Sequence, residues 1–500
     1  MTWRKYRIHG MSGLIPLFDT AAARALDARA SERLGGDAYV LMQRAGQAAW
    51  RHVLQDWPDA HGIVVVCGPG NNGGDGYVLA TLARRSGRHV QVVHLPEHGP
   101  RTALAQRACT EYVAQGGQVE IFDGQLPATA LVVDALFGIG LDRAPDPSAA
   151  KLIHAINAQP APVFALDVPS GVDAGRGHVP GAAVVAESTL QFIAEHAGLR
   201  TGAALEHVGS LTLEGLGVPE ESFDGIAPMA EGLSEGALAH WLPPRRRNTH
   251  KGEFGRVLCV GGEHGSGGAI ALCAEAALRS GAGLLRVATR SMHVAPLLAR
   301  CPEAMVRAVE SGHELQPMLA QADVVALGPG LGQEEWGSAL FSLSLQAQRP
   351  LVIDADALNL LCARPEPLHD AILTPHPGEA ARLLGVNTAD VQADRFAAAQ
   401  AIAQRFTSVV VLKGAGTIIA APGRTPRVIN AGNPGMAVGG MGDVLTGVIA
   451  ALRAQGMDVF EAASAGALLH SLAGDHAAEM GERGLLPSDL MPHLRRLANP

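Results

Sequence analysis

Apolar residues recur along the chain in two kinds of run. A short continuous one at 63–67 fits a strand buried on both faces, and further short strands are predicted at 90–93, 119–122, 131–133 and 163–166. Between them apolar positions fall three and four apart. Leu41, Ala45, Ala48, Ala49, Val53 and Leu54 mark a helix over 41–57, and Asp19 or Thr20 can cap an earlier one. Strand 63–67 runs into a glycine-rich turn at 68–76, with a helix predicted over 77–85. The alternation returns at 257–260, followed by glycine-rich 261–268 and an alanine-rich helix to Arg279. Further strands are predicted at 284–288, 324–327, 351–353, 371–374 and 409–412, and a helical region from Asp443 to about Glu479. Strands alternating with helices imply α/β architecture with parallel sheets covered on both faces. Around 216–235 the pattern breaks, with Pro219, Glu220, Glu221, Asp224, Gly225 and Pro228 clustered without periodicity. Two α/β domains are therefore expected, at 1–225 and 234–500, with a linker at 216–235.

Composition narrows the class. Five hundred residues exceed what one core usually supports, and 47% hydrophobic against 17% charged describes a well-buried chain. The 60 glycines and 4% aromatic content suit many tight strand-to-helix turns. A net charge of −9, with Arg245-Arg246-Arg247 the longest basic run, argues against nucleic acid. Six scattered cysteines without a C-x-x-C pair read as reduced thiols. The basic start, Met1 to Arg7, lacks the apolar stretch of a signal peptide, and no run is long enough to span a bilayer. A cytoplasmic protein without membrane partners is expected, with Met11 an alternative start and a homo-oligomer anticipated.

Gly68, Gly70 and Gly73 satisfy G-x-G-x-x-G, but the acidic residue of a dinucleotide redox domain is missing from Gln91-Val92-Val93-His94-Leu95, and no Walker lysine follows. Instead Asn71, Asn72 and Asp75 share the strand-end face with Asp134, Asp167 and Ser170, an oxygen-rich set suited to a hard cation. These segments, with Leu41-Met42-Gln43-Arg44-Ala45-Gly46, resemble the NAD(P)H-hydrate (NAD(P)HX) epimerases, whose domain is Rossmann-like and three-layered. The resemblance implies potassium held by Asn72, Asp134 and Ser170. It also implies hydrated NADH or NADPH against Asn71, Asn72, Gly73, Gly74, Asp75, Gly138, Ile139, Gly140, Leu141, Asp142, Arg143 and Asp167. Asp167 is the expected general acid/base, since inverting the hydroxyl-bearing carbon requires proton transfer.

Segment 432–447 holds six glycines, and an apolar helix-compatible run extends over 444–452. Free amides at a helix start attract an anion. Asp443 among them would repel a phosphate unless it serves as a base or metal ligand, which points to phosphoryl transfer onto a hydroxyl. Four segments accompany it: 261–268, 328–332, Thr374-Pro375-His376-Pro377-Gly378-Glu379, and Lys413-Gly414-Ala415-Gly416-Thr417. Asp354 with Asp356 reads as a metal pair or a turn, Glu379 as a weaker metal candidate, and His376 as a ligand contact or a loop cap. The set resembles the ribokinase-like fold and, more narrowly, the ADP-dependent NAD(P)H-hydrate dehydratases. That resemblance implies Lys413, Gly414, Ala415, Gly416, Thr417 and Gly442 on the nucleotide, and Ala269, Gly330, His376 and Asp443 on the hydrated substrate. It also implies magnesium and ADP, with Asp443 as the base. Val438 and Met441 depart from the small hydroxyl residues of many relatives, and 261–268 lacks an expected aromatic. Two rival readings share these motifs: a small-molecule kinase acting on a vitamin or sugar, and a non-catalytic N-terminal binding module.

Overall fold

The computed structural model describes residues 13–141 and 143–500; the alternative start at Met11 and the site residue Asp142 lie outside them. The chain forms two compact units. One comprises Pro16–Ala230; the other comprises Glu231–Pro500 together with residues 13–15.

In the N-terminal unit seven strands lie side by side in the order Val119–Ile121, His89–His94, Gly62–Cys67, Leu131–Ala135, Val163–Leu166, Ser188–Phe192 and Ser210–Glu214. Every neighbouring pair is parallel. Residue alternation along Gly62–Cys67 serves two cores. Ile63 and Val65 pack with Tyr39, Trp50 and Tyr77, whereas Val64 and Val66 pack with Leu152, Ile153 and Ile156. The order reverses direction between Gly62–Cys67 and Leu131–Ala135, which opens a crevice beyond their carboxyl ends. The helix predicted from Tyr77 begins six residues earlier and spans Asn71–Arg85. Its glycines allow this: a side chain at Gly73 would meet the Gly68 carbonyl oxygen at 2.0 Å, and one at Gly76 the Ala135 methyl at 2.7 Å.

The C-terminal unit orders its strands Met305–Ala308, Leu284–Thr289, Arg256–Val260, Val324–Leu327, Leu351–Ile353, Ala371–Leu373, Val409–Leu412, Thr417–Ala420 and Arg427–Ile429. All neighbours through Val409–Leu412 are parallel. The last two pairings are antiparallel, contrary to an all-parallel expectation. Residues 413–416 are far too few for a parallel crossover, so the chain must turn back as a hairpin. The crevice here lies between Arg256–Val260 and Val324–Leu327. The predicted C-terminal helical region is two helices, Met441–Ala454 and Val459–Ala477, parted where Gly456 takes φ 90° and Asp458 caps the second.

The segment 216–235 read as a linker is packed rather than bare. It contains a 3-10 turn, Glu220–Phe223, and strand Ala230–Leu233, and Phe223 meets Phe18 at 5.9 Å between ring centroids.

Helix Met441–Ala454 lies against helix Gly267–Arg279 at Gly447, where a Cβ would stand 2.1 Å from the Cys273 carbonyl oxygen. Gly447→Ala should therefore force these helices apart and lower stability by about 1–3 kcal/mol. Urea unfolding of the full chain checks this; an unchanged or raised midpoint would refute the close-approach argument.

Two candidate active sites

The N-terminal crevice deepens into a cavity of about 620 Å³. Of the residues that the resemblance puts on the substrate, Asn71, Asn72, Asp75, Gly138, Ile139, Gly140, Leu141, Arg143 and Asp167 line it. Gly73 and Gly74 do not. Both are buried behind the wall, Gly74 packing so closely that a side chain would strike Met42. Beneath the cavity Asp134 is fully buried. Its Oδ1 accepts from the Ser170 hydroxyl at 2.7 Å and the Leu136 amide at 3.1 Å, and its Oδ2 accepts from the Ser170 amide at 2.8 Å. Burial nonetheless raises its carboxyl to about 6, against the lowering effect of those bonds.

Asn72 donates through Nδ2 to the Phe137 carbonyl at 2.9 Å, while its Oδ1 is buried without a partner. The Ser170 hydroxyl lies 3.3 Å from the same carbonyl oxygen. An orphaned buried acceptor beside a carbonyl, a hydroxyl and a carboxylate is an all-oxygen set that fits a hard monovalent cation. No group of three or more His, Cys, Asp or Glu side chains suited to a metal occurs among the described residues.

Asp167 occupies a strained turn. Its φ is 65° and the Val168 amide donates to the Leu166 carbonyl at 2.8 Å, closing a three-residue turn directly after strand Val163–Leu166. Ile193 repeats the device on the same cavity wall, with φ 64° and Ala194 bonded to Phe192 at 2.7 Å. The strain aims the Asp167 carboxylate into the cavity, where buried His196 approaches it, Nε2 to Oδ1, at 3.2 Å. Two further carboxyl groups line the space: Asp75, and Asp27 from helix Thr20–Arg33. Neither His196 nor Asp27 is signalled by any motif.

In the C-terminal unit the strand-end segments converge on one ion pair. Lys413 Nζ lies 2.7 Å from Asp354 Oδ1 and 3.8 Å from Glu379 Oε2. Thr446 donates to Asp354 Oδ2 at 3.0 Å. Burial opposes both charges, but their mutual attraction prevails: Asp354 is held below the usual carboxylate range and Lys413 above the usual ammonium. Asp354 is thus spoken for by Lys413. Asp356 holds the turn after strand Val324–Leu327, accepting from the Gly332 amide at 2.9 Å and Gln333 at 3.1 Å. Of the two sequence readings for this pair, a turn describes Asp356.

Glycine 442 rests directly on the pair; a Cβ there would stand 3.2 Å from both Asp354 Oδ2 and Lys413 Nζ. Helix Met441–Ala454 opens at Gly440, φ 100°, and Asp443 lies in its first turn. Burial, then the Asp354 charge, push the Asp443 carboxyl up to about 7 while Lys413 opposes. The turn 413–416 is pinned from below by fully buried Arg395, which donates to the carbonyls of Leu412, Lys413 and Gly416 at 3.2–3.4 Å. Gly414 and Ala415 are left exposed at its tip, and the Thr417 hydroxyl closes it by bonding to the Gly414 carbonyl at 3.2 Å. His376 caps helix Pro377–Leu384: its Nδ1 accepts from the Gly378 amide at 3.0 Å, and Glu379 returns a bond to the His376 amide at 2.8 Å. Burial, then the nearby Lys413 and Arg382, lower its pKa, and its Nε2 lies 3.5 Å from Glu379 Oε1. Gly330, φ 58°, packs against Ala269, whose Cβ is 3.3 Å from where a Gly330 Cβ would lie. The loop at 432–433 is anchored by Asp475, which accepts from the Gly432 amide at 2.9 Å and Asn433 Nδ2 at 3.0 Å. Arg395, Thr446 and Asp475 carry no sequence signal, because each acts from the middle or edge of an ordinary helix.

A strand-end crevice with an oxygen-lined pocket, and a second α/β unit whose glycine-opened helix presents a carboxyl raised to about 7, together define an enzyme with a candidate site in each unit. Comparison with known proteins is specific. A family profile described as YjeF-related protein N-terminus matches residues 38–198, and one described as NAD(P)H-hydrate dehydratase matches residues 257–496. The bifunctional NAD(P)H-hydrate repair enzyme Nnr of Escherichia coli is 45% identical over 94% of this chain and 92% of its own. Its namesake in Coxiella burnetii is 44% identical over 97% and 99%. Among solved structures, a ribokinase-like superfamily protein from Enterococcus faecalis is 35% identical with a TM-score of 0.51, covering 54% of this chain and 96% of its own. The chain belongs to the bifunctional NAD(P)H-hydrate repair enzymes.

The Asp443 environment has a consequence for stability. In the fold its proton is retained up to about pH 7, whereas a carboxyl in the unfolded chain releases it near the ordinary 3.8. The unfolded state therefore loses protons first, and this residue's contribution to stability falls as pH rises from about 4 to about 7. Asp443→Asn should be more stable than the parent chain at pH 8, with the gain vanishing toward pH 4. Denaturation curves at the two pH values test this; a gain that is absent at pH 8, or larger at pH 4, would contradict the raised pKa.

Proposed function

We infer that this chain repairs hydrated NADH and NADPH in two steps, the N-terminal unit interconverting the R and S hydrates and the C-terminal unit dehydrating the S form. What carries the reading is the pairing of both sites in one chain. The spontaneous hydrate is an epimer mixture, and a stereospecific dehydratase alone would consume half of it. Kinase and non-catalytic-module alternatives are not favoured, because relatives matched across both units carry the repair name.

In the C-terminal site Asp443 takes the proton of the substrate hydroxyl as that oxygen attacks the terminal phosphate of ADP. A carboxyl with a pKa near 7 is well placed for this, combining an available base form with useful basicity. Amides at the start of helix Met441–Ala454 and the Lys413 ammonium face the transferring charge. AMP departs, and the phosphate ester, a far better leaving group than hydroxide, eliminates to restore the dihydronicotinamide. Lys413, Gly414, Ala415, Gly416, Thr417 and Gly442 hold the nucleotide; Ala269, Gly330 and His376 hold the substrate. Magnesium, when bound with ADP, would neutralise phosphate charge.

In the N-terminal site Asp167 moves the proton on and off the hydroxyl being inverted. Asn72, Asp134 and Ser170 would hold potassium, which would supply positive charge beneath the substrate. No helix among the described residues is long and apolar enough to cross a membrane. Six free cysteines support cytoplasmic residence, and a homo-oligomer is our expectation.

Asp443→Ala should lower ADP-dependent dehydration by at least about 10²–10⁴-fold while still binding nucleotide. Recovery of 340-nm absorbance from hydrated NADH, with AMP and phosphate as products, reads the first. Calorimetric ADP titration reads the second, and retained turnover would sink the role. Asp167→Asn should abolish epimer interconversion and leave dehydration of the S form intact. Near-normal interconversion, followed chromatographically without ADP, would remove Asp167 from the mechanism.

A further inference from the structure

The N-terminal cavity contains more acid–base machinery than a single carboxylate needs. Asp167 enters from the end of strand Val163–Leu166, and Asp27 enters the same space from helix Thr20–Arg33. The Asp27 carboxyl has no hydrogen-bond or ion-pair partner among the described residues; the Ser31 hydroxyl bonds instead to its backbone carbonyl at 2.9 Å. Asp167, by contrast, is met by His196 at 3.2 Å. Two carboxyl groups from different elements, one paired with a histidine and one unpaired, form an asymmetric set around one small cavity.

We propose that Asp27 is a second catalytic residue of the epimerase, acting with Asp167 as an acid–base pair across the hydroxyl-bearing carbon. The proposal rests on the reading of this site as the epimerase. In one direction the Asp27 carboxyl gives its proton to the substrate hydroxyl. The C–O bond breaks with its electrons going to oxygen, and water leaves. The lone pair of the adjacent ring nitrogen closes a C=N⁺ bond. A water molecule on the other face then attacks that carbon, the C=N⁺ electrons return to nitrogen, and Asp167 takes the released proton. The reverse epimerisation exchanges the two roles, and the pair needs one proton between them.

Surrounding charge supports this division. Burial, and then the charge of Asp167, raise the Asp27 carboxyl to about 7, with His196 opposing. Asp75 lines the same space, and its carboxyl is pushed well above the carboxylate range by burial, then by the charges of Asp167 and Asp27. Arg24 and Arg143 also line the cavity. Asp27 loses its proton as pH rises past about 7, so epimerisation should fall on the alkaline side.

The test follows interconversion of purified hydrated-NADH epimers by the full-length chain without ADP, in H₂¹⁸O, across pH 5–9. The parent chain should show an alkaline fall in kcat/KM centred near pH 7, and the new epimer should carry ¹⁸O. Asp27→Asn should lose at least about 10²-fold in rate and lose that alkaline limb, with Asp27→Glu recovering part of both. Melting temperatures within a degree or two of the parent's exclude misfolding as the cause. An Asp27→Asn chain within threefold of the parent, or one that is slow but keeps the limb, removes Asp27 from catalysis. An epimer that retains its original oxygen overturns the proposed step. A parent chain that fails to interconvert the epimers overturns the epimerase reading itself, and this proposal with it.

Discussion

The buried Lys413–Asp354 pair is the constraint around which the C-terminal site is assembled. Taking two charges out of water is costly, and the cost is offset only if their geometry is close and their remaining valences are filled. The Lys413 ammonium meets Asp354 at 2.7 Å and Glu379 at 3.8 Å, and Thr446 fills the second Asp354 oxygen. Satisfying the pair brings together a strand end, a hairpin turn, the cap of helix Pro377–Leu384 and the start of helix Met441–Ala454. Gly442 lies on that pair, where a Cβ would crowd both charged groups at 3.2 Å. Burial, and then the neighbouring Asp354 charge, keep Asp443, one residue later, from ionising early. A structural interaction thereby tunes a chemical one.

Both units follow the same plan with different means. Each has a parallel run of strands whose order reverses, and each places carboxylates beyond the carboxyl ends of those strands. The N-terminal unit uses backbone strain, with positive φ at Asp167 and Ile193, to aim groups into the cavity. The C-terminal unit uses ion pairing and a glycine-opened helix. In each, a carboxyl is held near neutrality by low polarity and like charge at the expense of stability, the usual conflict between a well-packed fold and a reactive site.

Most strands were legible because buried parallel strands read as continuous apolar runs; Val324–Leu327, Leu351–Ile353 and Val409–Leu412 match their predicted bounds. Ser188–Phe192 and Ser210–Glu214 were not, because Ser188, Thr189 and Gln191 put polar atoms into a buried strand, where only tertiary partners satisfy them. The Asn71 helix start was hidden by glycines that normally signal a loop. Here they permit close packing instead. The antiparallel hairpin at 409–420 follows from loop length, but needs the second strand to be recognised first.

Site residues divide in the same way. Asn72, Asp134, Asp167, Ser170, Lys413 and Asp443 sit next to strand ends or glycine turns, and local sequence marks such positions whatever the rest of the chain does. Asp27, Arg395 and Asp475 reach their sites from helices, and His196 from a two-residue strand, all distant in sequence, so no local pattern distinguishes them from surface or core residues. Sequence alone determined two α/β units and the chemical types at their strand ends, because periodicity and glycine placement are local properties. Only the tertiary structure decided which carboxyl remains protonated, which charge is already paired and which groups share a cavity. Those depend on distance and burial, and both are set by residues far apart along the chain.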